Sequence, residues 1–373
     1  MSLRIFIIAG EASGDMYGGL LAEELRAHRP DVHISGWGGG QMIAAGVEIL
    51  RHISSLSFMG LTEVLRRAIS IRSLFRECRL TITQGNFDAI IFIDFPGFNL
   101  RMAKWVKQYH PHMHTIQYIS PKIWAWKEGR VRIIKRYIDT LICIFPFEID
   151  LYRRYGITAY YCGHPLLAHL DRINVQSRQS EEASPRHLDV ALMPGSRKQE
   201  IDRILPIMLQ LSQYYPEHDF TIGGMSLFGE DYYQSIIDQA GVLNIKISMD
   251  DNYSLLAQSD VAINTSGTVT LETALLNIPQ IVVYKAKQLS YVIGKSLLRI
   301  EYISLPNILL DKRVVPELIQ ANCQAEMIKQ SMDHIIKNPT IQLAGYQEIR
   351  EILQSNQREM NVAILICNRI GLK

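Results

Sequence analysis

What this chain lacks narrows the field first. Its five cysteines, Cys78, Cys143, Cys162, Cys323 and Cys367, are odd in number and far apart, with no C-x-x-C pair among them. That spacing argues against a disulfide framework and a structural zinc site and points to a reducing compartment. Neither sign of charge prevails: 39 Lys and Arg stand against 37 Asp and Glu, a formal net charge of +2. Such a balance leaves no electrostatic footprint for nucleic acid, and none is expected as a partner. No apolar run approaches the roughly 18 residues that cross a bilayer. The short run before Glu11 is too brief for a secretory signal. Internal repeats, low-complexity tracts and D-x-D triplets are all missing. Without the last, a carboxylate-held metal is not indicated, and neither metal nor cofactor is expected. The expectation is a soluble or peripheral protein of the cytoplasm.

What is present reads as an α/β protein. Hydrophobic residues at 47% and charged ones at 20% give an ordinary core, and 373 residues suit two domains. Short β-branched runs alternate with amphipathic stretches: "RIFIIAG", "VHISGWGG", "FDAIIFID", "HTIQYIS", "DTLICIFP" and "TAYYCG" come first. Several are apolar on both faces, as parallel strands covered by helices must be. "DRINVQSRQSEEASPRH" at 171–187 is polar and aperiodic, a linker. The alternation then restarts, and from about Val315 the pattern is helical to the end. Two doubly wound Rossmann-like domains facing a cleft are predicted, at 1–170 and 188–350. Residues 351–373 are expected to form a terminal helix that crosses back to pack on the first domain.

Candidate chemistry sits where strands end. In "AGEASGD", Glu11, Ser13 and Asp15 crowd the turn after the first strand, where open α/β sheets bind ligands; the alternative is a helix start capped by Ser13. Asp94 ends the strand in "FIDFPGFN" between apolar neighbours, which should raise its pKa toward that of a general base for a sugar hydroxyl. "YISPKIWAWKEGRVRIIKRY" sets Trp124 and Trp126 beside five bases, Lys127, Arg130, Arg132, Lys135 and Arg136; a solvated helix face or an anionic ligand would each fit. In "MPGSRKQEI", a tight turn places Arg197 where its fork could reach a diphosphate. Ser266, Gly267 and Thr268 open a helix whose N–H groups suit a phosphate, and Glu272 one turn on could accept both hydroxyls of a ribose. His164 in "CGHPL" reads as a hydrogen-bonded loop histidine. Leu61, Val64, Leu65, Ala68 and Ile71 recur at helical spacing between arginines, a stripe that either joins the core or lies in a lipid surface.

Taken together these motifs resemble the lipid-A-disaccharide synthase family. "AGEASGD", "MGLTEVL", "IDFPGFN", "YISPKIWAWKEGRV", "FPFE", "GHPL", "PGSRKQEI", "SGTVTLE" and "YISLPNIL" follow in family order over nearly the whole chain. The resemblance implies a GT-B glycosyltransferase fold. It implies inverting transfer of 2,3-diacylglucosamine from UDP-2,3-diacylglucosamine to the 6-hydroxyl of 2,3-diacylglucosamine 1-phosphate. By the same resemblance Asp94 is the candidate base, with Glu11 and Asp15 as alternatives. Arg197, Ser266, Gly267, Thr268, Glu272 and Asn307 fall on the UDP side, and Ser13, Gly14, Asn99 and Trp124 on the acceptor side. Because both substrates carry acyl chains, the resemblance also implies a peripheral enzyme on the cytoplasmic face of the inner membrane. The apolar stripe would face the lipid, and a homodimer is compatible. A UDP-sugar 2-epimerase on the same fold and a non-catalytic glycolipid-binding protein are the competing readings.

Overall fold

The computed structural model describes residues 3–54, 64–125, 127–173, 187–249, 251–288, 291, 300–354 and 361–371. The chain divides into two compact units, Met1–His169 with Leu353–Lys373, and Leu170–Ile352. Most of the polar stretch expected at 171–187, namely 174–186, lies outside the described residues.

The first unit is built on a seven-stranded parallel sheet. Its strands are β1 (Arg4–Ala9), β2 (His33–Gly38), β3 (Glu48–His52), β4 (Ala89–Ile93), β5 (His114–Tyr118), β6 (Thr140–Cys143) and β7 (Ala159–Tyr161). They lie in the order β3-β2-β1-β4-β5-β6-β7. The central strands are buried on both faces, as in "AIIFI" of β4, because crossover helices must cover each side of a parallel sheet. Phe6, Trp37, Phe92, Phe98 and Met102 form the core beneath helix Pro96–Tyr109. The closing helix, Val362–Ile370, belongs to this unit: Asn361 donates to Glu24 at 2.8 Å, and Arg369 lies 4.5 Å from the Tyr160 ring centroid. Its capping is local, since Asn361 also accepts from the backbone N–H of Ala363 and Ile364.

The second unit repeats the plan with six parallel strands, β8 (Asp189–Met193), β9 (Asp219–Gly224), β10 (Ile245–Met249), β11 (Val261–Thr265), β12 (Gln280–Tyr284) and β13 (Glu317–Ile319). Their order is β10-β9-β8-β11-β12-β13. A buried amide network pins its centre. Asn264 donates to Gln280 at 2.9 Å and to Thr273 at 2.8 Å, while the Gln342 side-chain amide accepts from the Gln280 N–H at 2.8 Å and donates to the Gln280 carbonyl at 3.0 Å.

Two edge strands escape the sequence pattern. β3 alternates exposed and half-buried residues, with Leu50 among the exposed ones, and β13 has only three residues inside a stretch expected to be helical. At a sheet edge only one neighbour must be satisfied, so neither needs a strong hydrophobic signal.

Each sheet reverses its strand order once, between β1 and β4 and between β8 and β11. Successive crossovers diverge there, so the carboxyl ends of those strands carry loops that open a crevice. Asp94 and Gly10–Glu11 end one such pair; Gly195–Arg197 and Ser266–Thr268 end the other.

Candidate functional site

In the first unit, backbone strain gathers at the strand ends. Asp94 and Phe95 both adopt left-handed dihedrals (φ 42), and Ile119 just beyond β5 does so at φ 67. Non-glycine residues held there cost about 1–3 kcal/mol each, and they persist only where the surroundings fix them. Two buried amides do that work. Asn99 donates to the carbonyls of Ile93 at 3.2 Å and Asp94 at 2.8 Å, and Gln117 donates to those of Phe92 and Ile119, both at 3.1 Å. Phe95 also stands against Gly10, where a Cβ would come within 2.5 Å of its ring, so the first loop must pass as glycine. The result is a half-exposed Asp94 carboxylate on a fixed main chain. Arg130 lies near enough that the Asp94 charge favours its protonated form, against the burial that lowers its pKa.

Residues of the "AGEASGD" turn divide between inside and outside. Helix Ala12–His28 begins one residue before Ser13, so Ser13 is not its cap; Glu11 holds that position without a capping side-chain bond. Glu11 is exposed and Ser13 half-buried. Asp15 is buried, accepting from the backbone N–H groups of Gly39, Gln41 and Met42 at 2.5, 3.0 and 3.2 Å. It anchors the turn after β2, and a Cβ at Gly39 would press to 2.8 Å from its Oδ2. All three of these bonds run to main-chain N–H groups of the one turn. Gly14 packs on Ala9, and Asn99, fully buried, holds the Ile93 and Asp94 carbonyls.

Trp124 is half-buried and spends its N–H on Glu148 at 3.1 Å. Trp126 lies outside the described residues. Glu148, in the quoted "FPFE", is a group whose role the sequence did not disclose. Burial pushes its carboxyl up to about 7, opposed by hydrogen bonds from Ser120, Trp124 and the Phe145 N–H. His164 is buried, and its Nδ1 accepts from the Leu166 N–H at 3.2 Å. Burial holds it neutral, its pKa near 3.

In the second unit the turn after β8 presents Arg197. Gly195 takes φ 109, and a Cβ on it would meet Glu200 Oε2 at 2.9 Å. Glu200 in turn accepts from Arg197 Nη1 at 3.2 Å, holding an otherwise exposed guanidinium. Arg203 and Tyr284 lie near enough to interact with this group, and burial raises the Tyr284 pKa. After β11, Ser266 does not cap the helix; its hydroxyl donates to the Ile303 carbonyl at 2.8 Å. Gly267 borders open space, since a Cβ there would touch nothing within 4 Å. Thr268 stands at the N-cap of helix Val269–Leu275, and the Thr270 and Leu271 N–H groups turn back to the Gly267 and Thr268 carbonyls at 3.2 and 2.9 Å. Glu272 in its first turn is partly exposed, yet its surroundings push its carboxyl up to about 7 against a hydrogen bond from Tyr253.

Asn307, expected on the UDP side, has surroundings like those of Asn99. It is fully buried, accepting from Val314 and Val315 N–H at 2.8 and 2.9 Å and donating to the Val315 carbonyl and Glu317, both at 2.9 Å. Glu317 also accepts from the Ser304 hydroxyl at 2.6 Å and so fixes the loop that Ser266 meets. Among the described residues one group has metal-ligand spacing, His187, Asp189 and Asp219. It lies at the opposite, amino ends of β8 and β9, where Lys246 pairs with Asp219 at 2.8 Å. The stripe expected to face lipid begins at Leu61, outside the described residues; Val64, Leu65, Ala68 and Ile71 fall in helix Val64–Gly85, but their side chains are not described.

The family model for lipid-A-disaccharide synthetase matches residues 5–366. The chain is 35% identical to the lipid-A-disaccharide synthase of Geobacter sulfurreducens over 383 aligned positions, 99% of this chain and 98% of that one. It is 35% identical to the enzyme of the same name from Acinetobacter baylyi, covering 97% and 96%. Among solved structures it shares its fold with UDP-GlcNAc 2-epimerase from Neisseria meningitidis, at TM-score 0.57 and 13% identity over 99% of this chain and 100% of that one. Acinetobacter baumannii MurG is similar at TM-score 0.52 and 10% identity, over 99% of each.

The Asp15 anchor predicts a specific split. Asp15→Asn should lower stability by about 2 kcal/mol, because a side-chain N–H₂ then faces a buried backbone N–H. Denaturant unfolding beside UDP release would check it: turnover per folded molecule should persist. A stable but inactive variant would place Asp15 among the reacting groups.

Proposed function

Since the chain belongs to the lipid-A-disaccharide synthase family, we propose how its residues divide the work of a UDP-sugar glycosyltransferase in lipid A biosynthesis. The first unit supplies the base and receives the acceptor; the second holds the UDP of the donor. The observation that carries this reading is Asp94. It stands at the strand-order reversal of its sheet on a strained main chain that Asn99 clamps.

Transfer is a single displacement with inversion. As the acceptor 6-hydroxyl oxygen bonds to the anomeric carbon of 2,3-diacylglucosamine, Asp94 takes the hydroxyl proton. The bond from that carbon to the diphosphate oxygen breaks, and UDP leaves with its electron pair. A positioned base is worth about 10²–10⁴ in rate. Negative charge grows on the diphosphate, and Arg197 with the N–H groups around Gly267 and Thr268 meets it. Preorganised donors of this kind are worth more than mobile water because they need no reorientation. Glu200 presets the Arg197 fork, and Glu272 accepts from the ribose hydroxyls. Asp15, Asn99, Asn307 and Ser266 position these loops.

Both substrates carry acyl chains, so the enzyme must work at a lipid surface. No helix among the described residues is long and apolar enough to cross a membrane. Peripheral binding to the cytoplasmic face of the inner membrane, through the stripe of Leu61, Val64, Leu65, Ala68 and Ile71, fits that need.

UDP release in detergent, with UDP-2,3-diacylglucosamine as donor and chelator present, tests the function. Release should require 2,3-diacylglucosamine 1-phosphate; release without acceptor, or none with UDP bound, would sink it. In the same assay Asp94→Ala should abolish turnover and leave UDP affinity intact, whereas Arg197→Ala should weaken UDP binding. Equal losses of both properties in Asp94→Ala would make that residue structural.

Glu272 adds a pH dependence of definite sign. Its ionised form is the stronger acceptor for two hydroxyls, so UDP affinity should fall by up to about tenfold from pH 8 to pH 6 as that fraction drops. Titration calorimetry on wild type and Glu272→Gln would separate this from the titration of UDP itself. Parallel pH profiles in the two proteins would remove Glu272 from the ribose.

A further inference from the structure

The segment from Ile119 to Arg130 leaves β5 and runs to helix Arg130–Tyr137, and a single neighbouring helix, Phe147–Arg154, grips it at three points. Glu148 Oε1 accepts from the Ser120 hydroxyl at 2.6 Å and the Trp124 Nε1–H at 3.1 Å. Tyr152 donates to the Pro121 carbonyl at 2.9 Å. Tyr155, closing the helix, donates to Glu128 at 2.5 Å. Positions 148, 152 and 155 fall on one stripe of the helix, so all three contacts arise from one face.

Glu148 is 1% exposed and Tyr152 is fully buried. The second Glu148 oxygen takes the Phe145 N–H at 3.2 Å, so both oxygens face donors. A carboxylate kept in such surroundings is a poor way to gain stability; an apolar side chain of similar volume usually does as well or better. What the carboxylate holds is therefore more telling than what it contributes to folding. The segment begins at Ile119, whose left-handed backbone Gln117 also restrains, and it ends at Arg130. Arg130 opens its helix, where a cation is opposed by the helix dipole. Burial lowers its pKa, and Asp94 and Tyr152 both oppose that shift.

We propose that Glu148 is a positioning residue for the glycosyl transfer, fixing the Ser120–Trp124 turn that leaves β5 just where the Tyr118 carbonyl accepts from the Asp94 N–H at 3.4 Å. The proposal rests on the reading of Asp94 as the base. Tyr152 acts on the same turn through Pro121.

The test compares Glu148→Ala, Glu148→Gln and Tyr152→Phe in the full chain. It measures kcat and KM for UDP release with acceptor, UDP affinity, melting temperature, and 19F spectra of 5-fluorotryptophan-labelled protein with Trp124 assigned through Trp124→Phe. Glu148→Ala should lose about 10- to 100-fold in kcat, the scale of a misplaced reacting group, at unchanged donor KM and UDP affinity. Its Trp124 resonance should shift while that of Trp37 stays. Glu148→Gln should recover part of the rate, since its oxygen still accepts from Ser120 and Trp124. Tyr152→Phe should lose kcat selectively whether or not the alanine variant folds. Wild-type kcat in the glutamine and phenylalanine variants, or loss of kcat in step with UDP affinity and melting temperature, would overturn the proposal. Asp94→Ala serves as the control. If it retains turnover, the base reading falls and the proposal with it; if it is inactive while the Glu148 and Tyr152 variants turn over normally, the proposal alone falls.

Discussion

A parallel strand cannot return directly to its neighbour; it must cross over one face of the sheet through a helix. Because each crossover is right-handed, a sheet that grows from its centre in both directions reverses its strand order at one place. In this protein those places are the β1–β4 and β8–β11 pairs. Loops from the two strands of each pair diverge to opposite faces, and the carboxyl ends between them stay uncovered by helix. Asp94 and Glu11 occupy one reversal, Arg197 and Gly267 the other. Much of the site follows from this constraint on chain path.

Uncovered strand ends need support from below, and buried polar side chains supply it. Asn99 and Gln117 hold the carbonyls around the left-handed Asp94, Phe95 and Ile119, and Asp15 gathers three N–H groups of the turn after β2. In the second unit Asn307 and Glu317 do the equivalent for the loop that receives the Ser266 hydroxyl. A hydrogen-bonded amide in the interior is directional in a way that packing is not. Such contacts fix a main-chain path within tenths of an ångström, the tolerance that a reacting carboxylate needs.

Reading the residues alone took the fold a long way. Doubly apolar runs at β1, β4 and β11 can only be strands covered on both faces, and their regular alternation with helical periods forces a parallel sheet. Asp94, Arg197 and the Ser266–Thr268 turn were legible because a polar residue after such a run must lie at a strand end. The family followed from nine short motifs in order. Tertiary structure alone decided which polar residues face outward. Asp15, Asn99 and Asn307 carry the same local signature as ligand-binding residues, a polar side chain beside glycine or proline in a strand-end loop. Their partners, Gly39, Ile93 and Glu317, lie elsewhere in the chain or across a turn, and no local pattern names them. Glu148 passed unnoticed for the same reason: its role lies in Ser120 and Trp124, 28 and 24 residues away. Periodicity records whether a side chain is buried; the partner that makes burial tolerable is set by the packing of distant strands.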